Sequence, residues 1–167
     1  GEPTLTPEFP RIIDDTLHLR DAFCPGAKVS VLSNATRVHI PEVLAALRKV
    51  DNPIMKIDAP TDELAALINK PAPGYSVRRT VEALKGFGGD FVLQTMFLKG
   101  PFDSSSPQVL EGWMRLVREL RPREIMVYTI DRPTPMQGLE AFSEQQMRQL
   151  VAPLLDEGFT IQIKGKK

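Results

Sequence analysis

The sequence predicts an α/β protein built from repeated strand–helix units, and three observations carry that prediction. Short runs rich in apolar and β-branched residues recur along the 167 residues, mostly continuous rather than alternating, as strands buried on both faces of a parallel sheet are. Between them lie longer segments whose apolar residues repeat at helical spacing. Cap and turn residues separate the two kinds of segment. Alternating units of this sort require right-handed crossovers and give either an open doubly wound sheet or a barrel.

Taken in order, Thr6-Pro7-Glu8 starts the first helix, with Thr6 as N-cap and Pro7 in the first turn; Phe9, Ile12, Ile13, Thr16, Leu17 and Phe23 follow at near-helical spacing. Residues 29–33 form the first strand. A helix over 41–50 places Val43, Leu44 and Leu47 on one stripe, and a strand over 54–58 follows. The helix over 76–87 gathers Val77, Val81 and Leu84 and stops at Gly88-Gly89. After a strand over 91–98, Ser106-Pro107 opens a helix carrying Val109, Leu110, Trp113, Leu116, Val117 and Leu120, closed by Pro122. A strand over 124–130 precedes a helix over 143–157, where Ser143 with Gln146 makes a capping box and Gly158 is the stop. Residues 159–164 are a candidate fifth strand. The segments 59–75 and 131–142 read as loops at the carboxyl ends of strands, where α/β folds build their binding sites. Nothing marks an internal boundary, so residues 1–167 read as one domain.

Composition narrows the function. With 42% hydrophobic and 25% charged residues, the chain has enough apolar material for a real core and is neither disordered nor a membrane protein in composition. Lys+Arg and Asp+Glu are both 21, so no global field attracts nucleic acid, and the basic tail of Lys164, Lys166 and Lys167 reads as a solvated end. No apolar run approaches the ~18 residues needed to span a bilayer, and no signal peptide is visible, which makes a cytoplasmic protein without a membrane partner the expectation. Cys24, the single cysteine, makes no internal disulfide and by itself cannot hold a cluster that needs three thiolates. Between Phe23 and Pro25 it reads as a small buried apolar residue.

Chemistry is expected at the strand ends. Side chains alternate across a strand, so Lys56 and Asp58 point to one side and Met55 and Ile57 to the other. With the apolar pair toward the helices, the charged pair faces a barrel lumen, where burial costs several kcal/mol per ion. Either the pair meets a polar ligand or the two satisfy each other. Ser33-Asn34, Gln94-Thr95 and Thr129 to Arg132 repeat the pattern, with polar residues ending apolar runs; together they outline a polar rim, although any one of them also suits a turn. His18 and His39 lack metal-ligand neighbours and fit surface or capping roles. Gly86, Gly88 and Gly89 follow a helix instead of opening one, so they form no dinucleotide fingerprint. Ser104-Ser105-Ser106 reads as a loop with an N-cap, and Trp113 as a core residue.

The opening Gly1-Glu2-Pro3-Thr4-Leu5, followed by Pro7, Phe9 and an amphipathic helix, resembles the segment that ends the second barrel strand in the radical S-adenosylmethionine (radical SAM) superfamily. The likeness continues through Val31-Leu32-Ser33-Asn34, Lys56-Ile57-Asp58 and Ile68-Asn69-Lys70-Pro71. Gln94-Thr95-Met96-Phe97 and Tyr128-Thr129-Ile130-Asp131-Arg132-Pro133 resemble one subgroup, the iron–sulfur oxidoreductase-like proteins grouped with wyosine-base enzymes. The resemblance implies a partial (βα)6 TIM-like barrel lacking its first units, of which about four βα units are present. It implies S-adenosylmethionine as cofactor and, in a full-length parent, a 4Fe-4S cluster on a CxxxCxxC loop that this sequence does not contain. The parent would be an oxidoreductase-type enzyme that cleaves the cofactor to a 5′-deoxyadenosyl radical and abstracts hydrogen from an unidentified substrate. On this likeness Gly1, Glu2 and Pro3 contact the methionyl amino group, and Ser33 and Asn34 lie near the methionine or ribose. Asp58 binds the ribose, Lys56 and Gln94 line the pocket, and Tyr128 to Arg132 stand near the adenine or substrate. No catalytic residue and no metal ligand is assigned within the chain, which is expected to be an inactive fragment by itself. Two rivals stay open: a Schiff-base aldolase-like barrel using Lys56 as the amine, and a non-catalytic degenerate barrel. Zero net charge neither supports nor opposes a tRNA substrate.

Overall fold

In the computed structural model, which describes residues 1–132, 134 and 136–166, a 3-10 turn over Pro3–Leu5 leads into α1 (Phe9–Phe23). Pro133 and Pro135 of the expected 131–142 loop, and Lys167 of the basic tail, lie outside the described residues. Thr6 is not the N-cap of α1. Its carbonyl accepts from Phe9 N at 3.1 Å and its hydroxyl donates to Glu8 at 2.7 Å, so the tight turn persists through Thr6 and the helix begins two residues after Pro7. Only Phe9 and Ile13 of the expected stripe are buried; Ile12 is 47% and Phe23 77% exposed. Cys24 is likewise exposed, against expectation. The buried stripe of α1 ends before its last turn, and Cys24 enters a surface turn in which Ala27 N donates to its carbonyl at 2.8 Å.

The remaining elements follow the predicted alternation. They are β1 (Ser30–Ser33), α2 (Pro41–Leu47), β2 (Asn52–Lys56), α3 (Asp62–Asn69), α4 (Val77–Leu84), β3 (Val92–Met96), β4 (Leu98–Lys99), α5 (Pro107–Leu120), β5 (Glu124–Tyr128), β6 (Glu140–Ala141), α6 (Glu144–Asp156) and β7 (Ile161–Lys164). Ser76 caps α4, Gly88 ends the short 3-10 extension of that helix at φ +61°, and Ser143 with Gln146 forms the full capping box of α6. Two segments differ from expectation. Residues 59–75 are not all loop, because Thr61 accepts from Leu64 N and starts α3. Residues 91–98 are not one strand: the chain turns at Phe97, and Leu98 N donates to Ser104 Oγ at 3.1 Å. The detached β4 pairs antiparallel with β6, which lies inside the expected 131–142 loop.

Sheet order decides between the two architectures. The five parallel strands lie as β1-β2-β3-β5-β7, strictly in chain order. A doubly wound sheet reverses direction and puts helices on both faces; an unreversed series with right-handed crossovers puts them all on one face, as in the wall of a barrel. Burial agrees. Met55, Ile57, Leu93, Ile125 and Val127 join the core with Leu47, Val81, Leu84, Trp113, Val117, Met147 and Leu154 from the helices. On the opposite face Lys56, Gln94, Met126 and Gln162 form one cross-sheet row, and Leu32 is 55% exposed. The helix-ward direction of Met55 and Ile57, and the lumen-ward direction of Lys56 and Asp58, are as alternation requires. Among the described residues no helix is long and apolar enough to cross a membrane.

Candidate functional site

A cleft of about 540 Å³ opens at the carboxyl ends of β1 and β2. Its floor carries Lys56 and Asp58. Loop residues Asn34, Arg37 and His39 form one side, and the end of α3, the following turn and the start of α4 form the other, with Asn69, Lys70, Tyr75 and Arg79.

The Asp58 side chain is 1% exposed and its carboxylate is well supplied with donors. Lys56 Nζ and Asn69 Nδ2, the latter at 2.7 Å, both donate to Oδ2, while Met96 N donates to Oδ1 at 2.9 Å. A carboxylate accepts about four hydrogen bonds, so one site on Oδ1 is left. The β2 end, the α3 end and the β3 end are thereby joined at one buried charge. Burial raises the phenols of Tyr75 and Tyr128 above the ordinary tyrosine value, and the Asp58 charge pushes both the same way.

A second carboxylate organises the amino-terminal segment. Glu2 Oε1 accepts from Thr4 N, Thr4 Oγ1 and Ser33 Oγ, and Oε2 accepts from Asn34 N at 2.6 Å. Glu2 therefore ties the opening turn to the end of β1, leaving acceptor capacity on Oε2. Gly1 and Pro3 beside it are exposed. Ser33 is buried and bridges Glu2 and Ala35 N. Asn34 turns its Oδ1 back to Thr36 and borders the cleft.

Of the nine residues expected to hold cofactor, Asn34, Lys56 and Asp58 line the cleft, with Glu2 and Ser33 bonded to its edge. Gln94 stands beside Lys56 on the open sheet face. Arg132 does not join them. It borders a separate hollow with Ile130, Asp131, Leu139, Glu140, Ala141 and Lys166. The expected polar rim also loses two members. Thr95 faces the helices, donating to Ile57 O at 2.7 Å and accepting from Trp113 Nε1 at 2.9 Å; Thr129 donates to Phe97 O at 2.8 Å and accepts from Phe142 N. Both are structural ties, because a strand residue one position out of phase points to the other face. Trp113 is the core residue its helical stripe implies, 2% exposed. Arg37, Lys70, Tyr75 and Arg79 had no role assigned from the sequence, and His39, expected in a surface or capping role, is also a cleft-wall residue. The signal for Asn69 and Lys70 was Thr61 with Asp62 and Glu63, an N-cap and two first-turn acids that announce α3.

The family model of the radical SAM superfamily matches residues 1–112. The chain belongs to the radical SAM superfamily. A UPF0026 protein of Synechocystis sp. is 26% identical over 141 residues, covering 82% of this chain and 50% of the relative, and two UPF0026 proteins of Helicobacter pylori are 26% identical over 169 positions, covering 98% and 51%. The chain thus spans about half the length of the curated relatives it matches. Among solved structures, a domain of a Bacteroides vulgatus pyruvate-formate lyase-activating enzyme superposes with a TM-score of 0.69 at 17% identity over 99% of this chain and 95% of that one. SuiB of Streptococcus suis, solved bound to S-adenosylmethionine, gives 0.68 at 14% over 100% and 36%. Likenesses at that identity show the shared partial-barrel fold.

A 4Fe-4S cluster does not fit the residues of this chain. Its one thiol is Cys24, exposed beyond the end of α1, and α1 runs back from the cleft to the opposite end of β1. Among the described residues no three His, Cys, Asp or Glu side chains gather at metal-ligand spacing. The polar donors and acceptors of the cleft do suit a zwitterionic, hydroxylated ligand.

Proposed function

We propose that the cleft is an S-adenosylmethionine site, and that the chain forms that part of an oxidoreductase-type radical SAM enzyme whose cluster thiolates belong to another segment of a longer protein. The buried Asp58 carries this reading. A charge 1% exposed at a strand end, holding Lys56 and Asn69 toward a cavity, is costly unless it organises binding groups. Lys56 keeps two ammonium hydrogens and Asn69 its carbonyl for a ligand, and the remaining Oδ1 site of Asp58 accepts from a ribose hydroxyl. Glu2 Oε2, with the backbone at Gly1 and Pro3, suits the methionyl ammonium. Gln94 extends the polar face toward the adenine, and Arg132 belongs to the substrate side. When bound with its cluster, the cofactor supplies the family's hydrogen-abstracting chemistry.

Titration calorimetry with S-adenosylmethionine tests the site. Asp58→Ala should weaken binding roughly 10- to 150-fold, the value of about 1.5–3 kcal/mol for a hydrogen bond to a charged group. Equal affinity in variant and wild type would remove Asp58 from the site and leave a self-satisfied Lys–Asp pair. The same chain should take up no cluster on anaerobic reconstitution, since it supplies one thiolate where three are needed; stoichiometric bound iron would overturn that account. The Schiff-base alternative has less support, because Lys56 Nζ is turned to the buried Asp58 carboxylate instead of standing free in the cleft. Borohydride trapping of a carbonyl compound on Lys56 would restore it.

A further inference from the structure

The charges of the cleft do not balance. Arg37, Lys56, Lys70 and Arg79 line it against the single carboxylate of Asp58, in a chain whose 21 basic and 21 acidic residues cancel. Lys56 is neutralised by Asp58. Among the described residues Arg37, Lys70 and Arg79 have no carboxylate at ion-pair distance, whereas Arg78, adjacent to Arg79 but turned to the outer face of α4, pairs with Glu82 at 3.1 Å and with Glu119 at 2.9 Å. On α4, then, the outward cation is matched and the cleft-facing one is not. The three come from separate segments: the loop after β1, the end of α3 and the first turn of α4. Arg79 stands in the first turn of α4, which has no acidic residue of its own, and the one carboxylate at that helix end, Asp62, is taken up by Val77 N at 2.6 Å. Three unmatched charges that converge on one concavity repel each other, and an anion relieves the repulsion.

We infer that the outer part of the cleft binds a phosphate group carried by a small-molecule substrate, an inference that rests on the reading of the floor as the S-adenosylmethionine site. A single carboxylate would leave most of the positive charge unmatched. A phosphate, with close to two negative charges and three acceptor oxygens, suits two guanidinium forks and an ammonium. A nucleic acid would need a basic stripe along the surface, and here the cations are gathered in a cleft of about 540 Å³.

Inorganic pyrophosphate is the probe, titrated calorimetrically into the whole chain. Wild type should bind one equivalent, and Arg37→Gln, Lys70→Gln and Arg79→Gln should each weaken binding about fivefold, the upper range for an exposed charge pair. Arg78→Gln should leave it unchanged. Thermal melts establish that each variant is folded, as expected for exposed side chains. The inference fails if pyrophosphate does not bind, if the triple variant binds as wild type does, if citrate binds equally well, or if a short RNA binds while pyrophosphate does not. S-adenosylmethionine separates the two readings. Simultaneous binding of both ligands supports the phosphate subsite; mutual displacement means that the cations serve the cofactor's own carboxylate, and the subsite falls while the cofactor site stands. Pyrophosphate binding with no S-adenosylmethionine binding defeats the cofactor reading and with it the assignment of the phosphate to a substrate.

Discussion

Three donors converge on the Asp58 carboxylate, and only one of them was legible in the sequence. Lys56 follows from strand alternation, which needs no tertiary information. Asn69 reaches Asp58 through α3, and Met96 N through the parallel register of β2 and β3, so neither contact is visible before the chain folds. The same blindness assigned Thr95 and Thr129 to the rim, since a polar residue in a strand looks alike whether it faces a ligand or ties two elements. Neighbouring positions on β2 should separate binding from packing. Ile57 is 2% exposed on the helix side, so Ile57→Ala should cost about 2–5 kcal/mol through a cavity, while folded protein keeps its S-adenosylmethionine affinity; denaturant melts with calorimetry check both. The tyrosines give a pH test. The folded state holds the Tyr75 and Tyr128 phenolic protons more tightly than the unfolded chain, mainly through burial. Their contribution to stability is whole below the ordinary value of 10.0 and is lost as pH rises beyond it. Denaturant midpoints measured on either side of that pH should fall on the alkaline side, and Tyr128→Phe should flatten the fall.

Among elements, the start of α6 and the stop after α4 were readable, whereas the cap of α1 was misplaced at Thr6 and the Thr61 cap of α3 was missed. The capping box of α6 and the Gly88 stop stand as the residues imply. In α3 Ala65 is the one buried residue, so its stripe is too narrow to announce a helix. The β4–β6 pair joins segments about 40 residues apart, beyond the reach of local pattern. Asp51 illustrates how separate elements are fastened. It accepts from Val29 N at 2.9 Å and pairs with Arg20 at 2.8 Å and Lys28 at 3.3 Å, linking the end of α1, the start of β1 and the start of β2. The Val29 N–H, more than either cation, lowers its carboxyl from 3.8 to about 2. A depressed carboxylate stabilises the fold above its unfolded value and ceases to as pH falls through the folded one. Asp51→Asn should therefore lower the melting temperature at neutral pH, and the difference from wild type should vanish as pH falls from 3.8 to about 2. A difference that persists at the acid end would mean that Asp51 acts through shape and not charge.

At the scale of the whole molecule, the alternation of units left both an open sheet and a barrel wall possible; the resemblance to the radical SAM superfamily implied the partial barrel, and the strand order agrees with it. That order leaves β1 as one border of the sheet, and Leu5, Ile12, Leu19, Phe23 and Leu32, from the opening turn, α1 and β1 itself, are all more than 45% exposed. A bare strand edge flanked by apolar residues templates association, and a net charge of zero offers no repulsion against it. The chain alone should self-associate in sedimentation velocity experiments, and Ile12→Lys with Phe23→Lys should shift it toward monomer; a monomeric wild type would sink the idea. The unreversed strand order also bears on how the chain reaches this state. Each strand pairs with the next one along the chain in the sheet, closing loops of roughly 20 to 40 residues, and a doubling of loop length changes closure entropy by only ~0.6 kcal/mol. No pairing is topologically privileged, so the folding nucleus falls to whichever neighbours bury most side chain first. The middle strands β3 and β5, whose helix-side residues Leu93, Ile125 and Val127 join the core with Trp113 and Val117, would carry high φ-values and the β1 border low ones.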